Sequence, residues 1–174
     1  QGGSVKASLA TNRLFRDNSA WYNIILAVDT TQGTASNRVK IYVNGTQETS
    51  FATETYPAQD STLKALDSSK DTFIGVGEIT NGNKFGYFNG YMSEYVFIDG
   101  SQLTPTSFGE FDEDSPTIWK PINVSGLTFG TNGFHLDFED SSALGNDVSG
   151  NNNDFSVTNL AATDQSTDTC TNNL

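Results

Sequence analysis

The chain has 174 residues and a formal net charge of −12, enough length for one domain with a proper core and for two packed sheets. The charge argues against nucleic acid, whose phosphates need Lys and Arg, and against an anionic membrane surface. No apolar run approaches the roughly 18 residues that span a bilayer. From Glu110 onward, Lys120 is the only Lys or Arg against eleven Asp and Glu. Such a stretch reads as a solvated surface, with cation binding as the minority reading.

Aromatic residues are plentiful, helical Leu-, Ala- and Lys-rich stretches are lacking, and Gly, Asn, Ser and Thr recur at short intervals. That punctuation predicts an all-β chain. The run "AWYNIILAVD", 20–29, predicts a buried strand. In "RVKIYVNGTQETSF", Val39, Ile41 and Val43 alternate with Lys40 and Tyr42, and Asn44-Gly45 supplies the positive φ of a two-residue primed turn. A hairpin over 38–51 is therefore expected. Residues 52–70 are polar, contain Pro57 and predict a long surface loop. "DTFIGVG", 71–77, predicts a short strand, and "NGNKFG", 81–86, a turn.

"KFGYFNGYMSEYVFIDG", 84–100, predicts the next long strand, with a bend or close contact at Gly86 and Gly90. Both its parities are largely apolar, as in a strand covered on two faces. "LTPTSFGEF" predicts a turn fixed by Pro105. "TIWKPI" and "NGFHLDF" predict further strands, and "NDFSV" a last short one. Residues 1–158 thus form the domain, and 159–174 a polar linker. The chain opens at Gln1 without an initiator Met or signal peptide, which reads as a processed or excised piece. Cys170 is single, so no intrachain disulfide is expected.

Together, "AWYNIILAVDTT", "RVKIYVNG" and "FNGYMSEYVFIDGSQLTP" resemble the laminin-G-like, or concanavalin A-like, jelly roll. There a Trp-led strand, a "YVNG" hairpin and a "G-x-(apolar)-x-E" strand follow in this order. The likeness covers about residues 12–108 and implies a two-sheet antiparallel β-sandwich. The later "FGEFDEDSPTIWKPI", "GTNGFHLDFEDSSALGNDVSGNNNDFSVTNL" and "TDTCTNN" resemble large structural proteins of tailed phages and related environmental viruses. In those, such a module sits within a longer virion or fibre polypeptide. The resemblance implies a fragment whose first sheet strands are absent or supplied by a neighbouring chain. It also implies a virion or extracellular setting. Cys170 stands where those proteins would have Pro.

The chemistry-bearing candidates are few. "LGNDVSGNNNDF", 144–155, offers Asp147, Asn151, Asn153 and Asp154, with Asp137 or Asp140 nearby, as oxygen ligands for calcium. No bidentate Glu closes the loop, and Asn, Asp, Gly and Ser also build turns. A structural turn is the favoured reading, with calcium and direct ligand contact left open beside it. In "EFDED", Glu110, Asp112 and Asp114 alternate, as do the acids of jelly-roll glucanases. Asp114 replaces the expected Glu, Glu113 is charged where an apolar residue is needed, and Pro116 follows, so an exposed acidic loop is expected. His135, the only His, lacks partners for a His-based zinc site and is expected on a strand surface. No nucleophile elbow or phosphate loop is present.

Tyr22, Tyr42, Tyr56 and Tyr87 are candidates to stack on sugar rings, with sheet packing as the plainer reading. Asn44-Gly-Thr and Asn123-Val-Ser are formal glycosylation sequons; Asn44, in the turn, is expected to be exposed. The sum is a non-enzymatic contact module, with no required cofactor, that meets a glycan or receptor through rim loops. A homo-oligomer or filament is expected through strand addition at open edges. The competing readings are a ligand-free capsid-decorating or filament subunit and a glycan-cleaving enzyme.

Overall fold

The computed structural model describes residues 7–63, 72–78 and 83–166. The described chain is all-β, with almost no helix and five small antiparallel sheets. The strands are β1 (Ser8–Thr11), β2 (Ile24–Val28), β3 (Val39–Val43), β4 (Thr46–Gln47), β5 (Phe51–Thr55), β6 (Gly77–Glu78), β7 (Lys84–Phe85), β8 (Tyr95–Phe97), β9 (Gly109–Phe111), β10 (Trp119–Pro121) and β11 (Phe134–Leu136). One helical turn, α1 (Ala35–Arg38), precedes β3. The sheet β2–β3–β4 has three strands, and β1–β5, β6–β7, β8–β11 and β9–β10 are pairs.

The expected hairpin forms where the turn chemistry demands it, but over 39–47 rather than 38–51, because Arg38 ends α1 and Phe51 opens β5. Asn44 and Gly45 have φ of 47° and 74°, both positive as a type I′ turn requires. Gly45 is needed twice over, because a Cβ there would collide with the Trp119 ring. The Trp119 indole also lies against Gly109, where a Cβ would again meet it. Two glycines from distant segments thus form the slot that seats one large side chain.

The core draws on β3 and β11. Val39, Val43, Phe134 and Leu136 are buried, with Ala27, Val124, Phe129 and Leu144. Phe134 is its aromatic centre: its ring lies 6.0 Å from Tyr95, 5.6 Å from Phe97 and 4.8 Å from Phe155. β8 pairs with β11 in the register Phe134↔Phe97 and Leu136↔Tyr95, which places those rings side by side on one face.

Several expectations are corrected. Residues 52–70 are not all loop, because β5 pairs with β1 from Ser8↔Thr55 to Thr11↔Phe51; positions 64–70 lie outside the described residues. The long strand over 84–100 is two short ones, β7 and β8. Gly86 and Glu94 sit at φ 60° and 57°, and a left-handed residue interrupts an extended strand. The apolar parities of that segment are not covered on both faces, since Tyr87 and Tyr91 are 71% and 70% exposed. Within 71–77, only Gly77 is in a strand; Asp71 lies outside the described residues, as do Asn81, Gly82 and Cys170. "LTPTSFGEF" contains a 3₁₀ turn at Pro105–Ser107, then β9. "NDFSV" forms no strand, and Phe155 serves instead as a ring contact. At the start of the polar tail, Gln165 Nε2 donates to the carbonyls of Phe138 and Glu139, both at 2.7 Å.

Candidate functional site

The loop 144–155 closes on β11 through one carboxylate. Asp147 is buried, and its Oδ1 accepts the N–H of His135 and of Ser149, both at 2.9 Å. Its Oδ2 accepts the Ser149 hydroxyl and the Asn153 N–H, also at 2.9 Å. The Val148 N–H then donates to the His135 carbonyl at 2.9 Å. Both backbone groups of His135 are thereby bonded to this loop, so Asp147 acts as a surrogate neighbour strand.

The other candidates rivet the loop to the turn before β11. Asn151 Nδ2 donates to the Gly130 and Gly133 carbonyls at 2.6 and 2.9 Å. Asn153 Nδ2 donates to those of Thr131 and Gly133 at 3.2 and 2.9 Å. Asp154 Oδ1 accepts the Asp147 N–H at 2.9 Å. Asn152 takes the left-handed position, φ 58°. The four residues are brought together, and each uses its polar atoms on the chain itself. Asp137 and Asp140 cap their own local turns, through Glu139 N–H and through Ser142 N–H and hydroxyl. Among the described residues, no group of three or more His, Cys, Asp or Glu is arranged to hold a metal ion.

Burial opposes the charge of Asp147, but the donors from His135, Ser149 and Asn153 outweigh it and hold its pKa below the ordinary carboxylate value.

His135 corrects the strand-surface expectation: it is 6% exposed and stacks on Phe129 at 6.0 Å. Its Nε2 lies 2.6 Å from Glu94 Oε2. That hydrogen bond raises the imidazole pKa against the opposing effect of burial, with Asp137 and Asp147 adding smaller attractions. Nδ1 is buried without a partner among the described residues, so the upward shift rests on the carboxylates around the ring. Glu94 is the residue that sequence reasoning left without a role. It ends the "G-x-(apolar)-x-E" motif, and only its left-handed backbone and its contact across 41 positions mark it.

A consequence for stability follows. A folded-state pKa raised above the ordinary imidazole value of 6.5 adds stability that is complete below that value and is lost as pH rises through the folded pKa. We expect the thermal midpoint to fall with rising pH above about 6.5, and His135→Gln to flatten that slope. A calorimetric series giving a rising midpoint over the same interval would refute it. The Asp147 contribution has the opposite sense, being present above 3.8 and lost as pH falls through its lower folded value.

The acids of "EFDED" are not all in the expected exposed loop: Glu110 lies in β9 and Asp112 is half-buried, while Glu113 and Asp114 are exposed. Glu110 is on β9 opposite Lys120. Asp112 Oδ1 accepts the N–H groups of Asp114 and Ser115, and Oδ2 lies 2.9 Å from Lys120 Nζ. The Lys120 hydrogen bond leads in lowering the Asp112 pKa.

Of the four tyrosines, Tyr22 is half-buried with its ring 5.0 Å from Phe15, and Tyr42 is half-buried within β3. Tyr56 donates its hydroxyl to Glu54 Oε1, and burial followed by that carboxylate pushes its pKa to about 12. Tyr87 alone is fully presented, together with Phe85, Phe88 and Tyr91. They stand beside an open cleft of about 1470 Å³ whose lining includes Tyr87, Phe88, Tyr91, Phe134 and Phe155. A second open cleft, about 1050 Å³, lies between β2 and β8 and reaches Trp119. Asn44 is half-buried rather than exposed, since its Oδ1 accepts the Asn23 N–H at 2.8 Å. Asn123 is exposed, and its Oδ1 accepts the Ser125 N–H.

Comparison with protein families, with curated proteins and with solved structures finds no match. The class that stands is an all-β chain of several small antiparallel sheets. None of its described helices is long and apolar enough to cross a membrane.

Proposed function

We propose that this chain is a non-enzymatic contact module, a laminin-G-like β-sandwich from a virion fibre or other extracellular assembly that recognises a glycan or receptor. The observation carrying this reading is the aromatic segment between β7 and β8, where Tyr87, Phe88 and Tyr91 stand exposed within five positions. Aromatic faces held at a surface stack on the apolar faces of sugar rings, and many weak sites on one particle yield avidity without a deep pocket. The reading draws further support from the buried ionisable groups. Glu48, His135 and Asp147 are each bonded within the chain, in the manner of structural rather than reacting groups.

The test is a glycan array with the intact chain, with and without a chelator. Tyr87→Ala combined with Tyr91→Ala is expected to weaken binding by roughly tenfold, since each aromatic contact contributes about 0.5–1.5 kcal/mol. Binding unchanged by the double substitution would move recognition elsewhere, and steady hydrolysis of laminarin or agarose would replace the reading with an enzymatic one. A ligand-free capsid-decorating or filament subunit is the second reading, favoured by the exposed apolar residues of β2.

A further inference from the structure

β2 is an edge strand: the sheet runs β2–β3–β4, and no described strand pairs with its outer side. The direction of its backbone groups follows from the bonds at its two ends. Asn44 N–H donates to Asn23 O, and Asp29 N–H donates to Arg38 O, both at 2.9 Å. Bonded pairs alternate in an antiparallel ladder. Ile25 and Ala27 therefore bond toward β3, opposite Tyr42 and Lys40. The N–H and C=O groups of Ile24, Leu26 and Val28 point to the open edge.

The same three residues send their side chains to one face, opposite Val43, Ile41 and Val39. Val39 and Val43 are buried, but Ile24, Leu26 and Val28 remain 53%, 63% and 39% exposed, lining the open cleft toward β8. An edge that is apolar and, among the described residues, unpaired is a template for another strand.

We propose that β2 is the seam of a homodimer, two copies of Ile24–Val28 pairing antiparallel across a two-fold axis at Leu26. Pairing about Leu26 sets Ile24 against Val28 of the second copy. It matches outward donors to outward acceptors, forms about six main-chain bonds and keeps Ile24, Leu26 and Val28 of both copies on one face. The strand is its own complement, as an isologous contact requires. Leu14 and Phe15 extend the apolar surface next to Tyr22. With the three β2 residues they leave on the order of 500 Å² exposed per copy, the apolar part available toward the ~800 Å² of a standard interface. Each copy carries −12, so association strengthens as added salt screens the repulsion.

This seam rests on the reading of the chain as a contact module and names the strand through which it self-associates. Light scattering on the intact chain is expected to give twice 18.8 kDa, with a larger dimer fraction at higher salt. Leu26→Pro removes an outward N–H without touching the β3 ladder, a position where edge strands accept proline. It is expected to weaken the dimer by at least about tenfold with the far-ultraviolet circular dichroism unchanged. Leu26→Lys should do the same through charge, should the proline variant misfold. In a Cys170→Ser background, Leu26→Cys should form an intermolecular disulfide, because facing Cα atoms about 5.5 Å apart suit that bond. A chain that stays monomeric at high salt, a dimer indifferent to both Leu26 substitutions, or cross-linking no faster than for Thr46→Cys overturns the seam. Glycan binding that persists in a monomeric chain would leave the contact-module reading standing and remove only this interface.

Discussion

Asp147→Ala is expected to lower the unfolding free energy by about 3–4 kcal/mol, because it strands several donors at once in a poorly solvated place. The N–H groups of His135, Ser149 and Asn153 and the Ser149 hydroxyl all lose their acceptor. The loss should appear as a lower urea midpoint at nearly constant slope. Asp140→Ala, which removes only a cap within its own exposed turn, should cost under about 1 kcal/mol. A chelator decides between the turn and calcium readings of the same loop. Closure by internal donors predicts no change in the wild-type midpoint on chelation, whereas a bound ion would have added stability by mass action. A midpoint that drops with chelator and recovers with calcium would return Asp147, Asn151, Asn153 and Asp154 to the role of metal ligands.

Phe134→Ala should be at least as damaging, at about 3–5 kcal/mol, the range for emptying a buried aromatic site. Its ring touches Tyr95, Phe97 and Phe155, so truncation loosens β8 from β11 and releases the end of the 144–155 loop. Near-ultraviolet circular dichroism should collapse before the far-ultraviolet signal does. Phe111→Ala, at an exposed ring paired with Trp119, is the control and should cost about 1 kcal/mol. A loss under 1 kcal/mol at Phe134 would show that the core lies elsewhere. Because Phe134 and Asp147 act on adjacent positions of β11, their combined effect should depart from the sum.

What was legible in the sequence was local. The Asn44-Gly45 turn and the alternation of β3 each express preferences acting over a few neighbouring residues; the run 20–29 gave its strand but not the expected burial, since Ile24, Leu26 and Val28 stay exposed. The turn-forming chemistry of 144–155 was legible for the same reason, since Asn, Asp, Ser and Gly bond their own backbone. Residues 84–100 misled because aromatic content signals burial in a strand but does not set φ. The left-handed Glu94 and the three-residue match to β11 decide where β8 begins. β5 was missed because "FATET" becomes a strand through β1, which lies far back in the chain.

The sequence by itself determined an all-β chain, its best hairpin and the residues able to make tight turns, because dihedral preference and side-chain alternation are properties of short stretches. The partners were decided only by tertiary structure. Asp147 reaches His135 across 12 positions and Glu94 reaches it across 41. Which carboxylate is buried, which aromatic stays in water and which strand edge is open all depend on what another segment covers, and no local pattern encodes that.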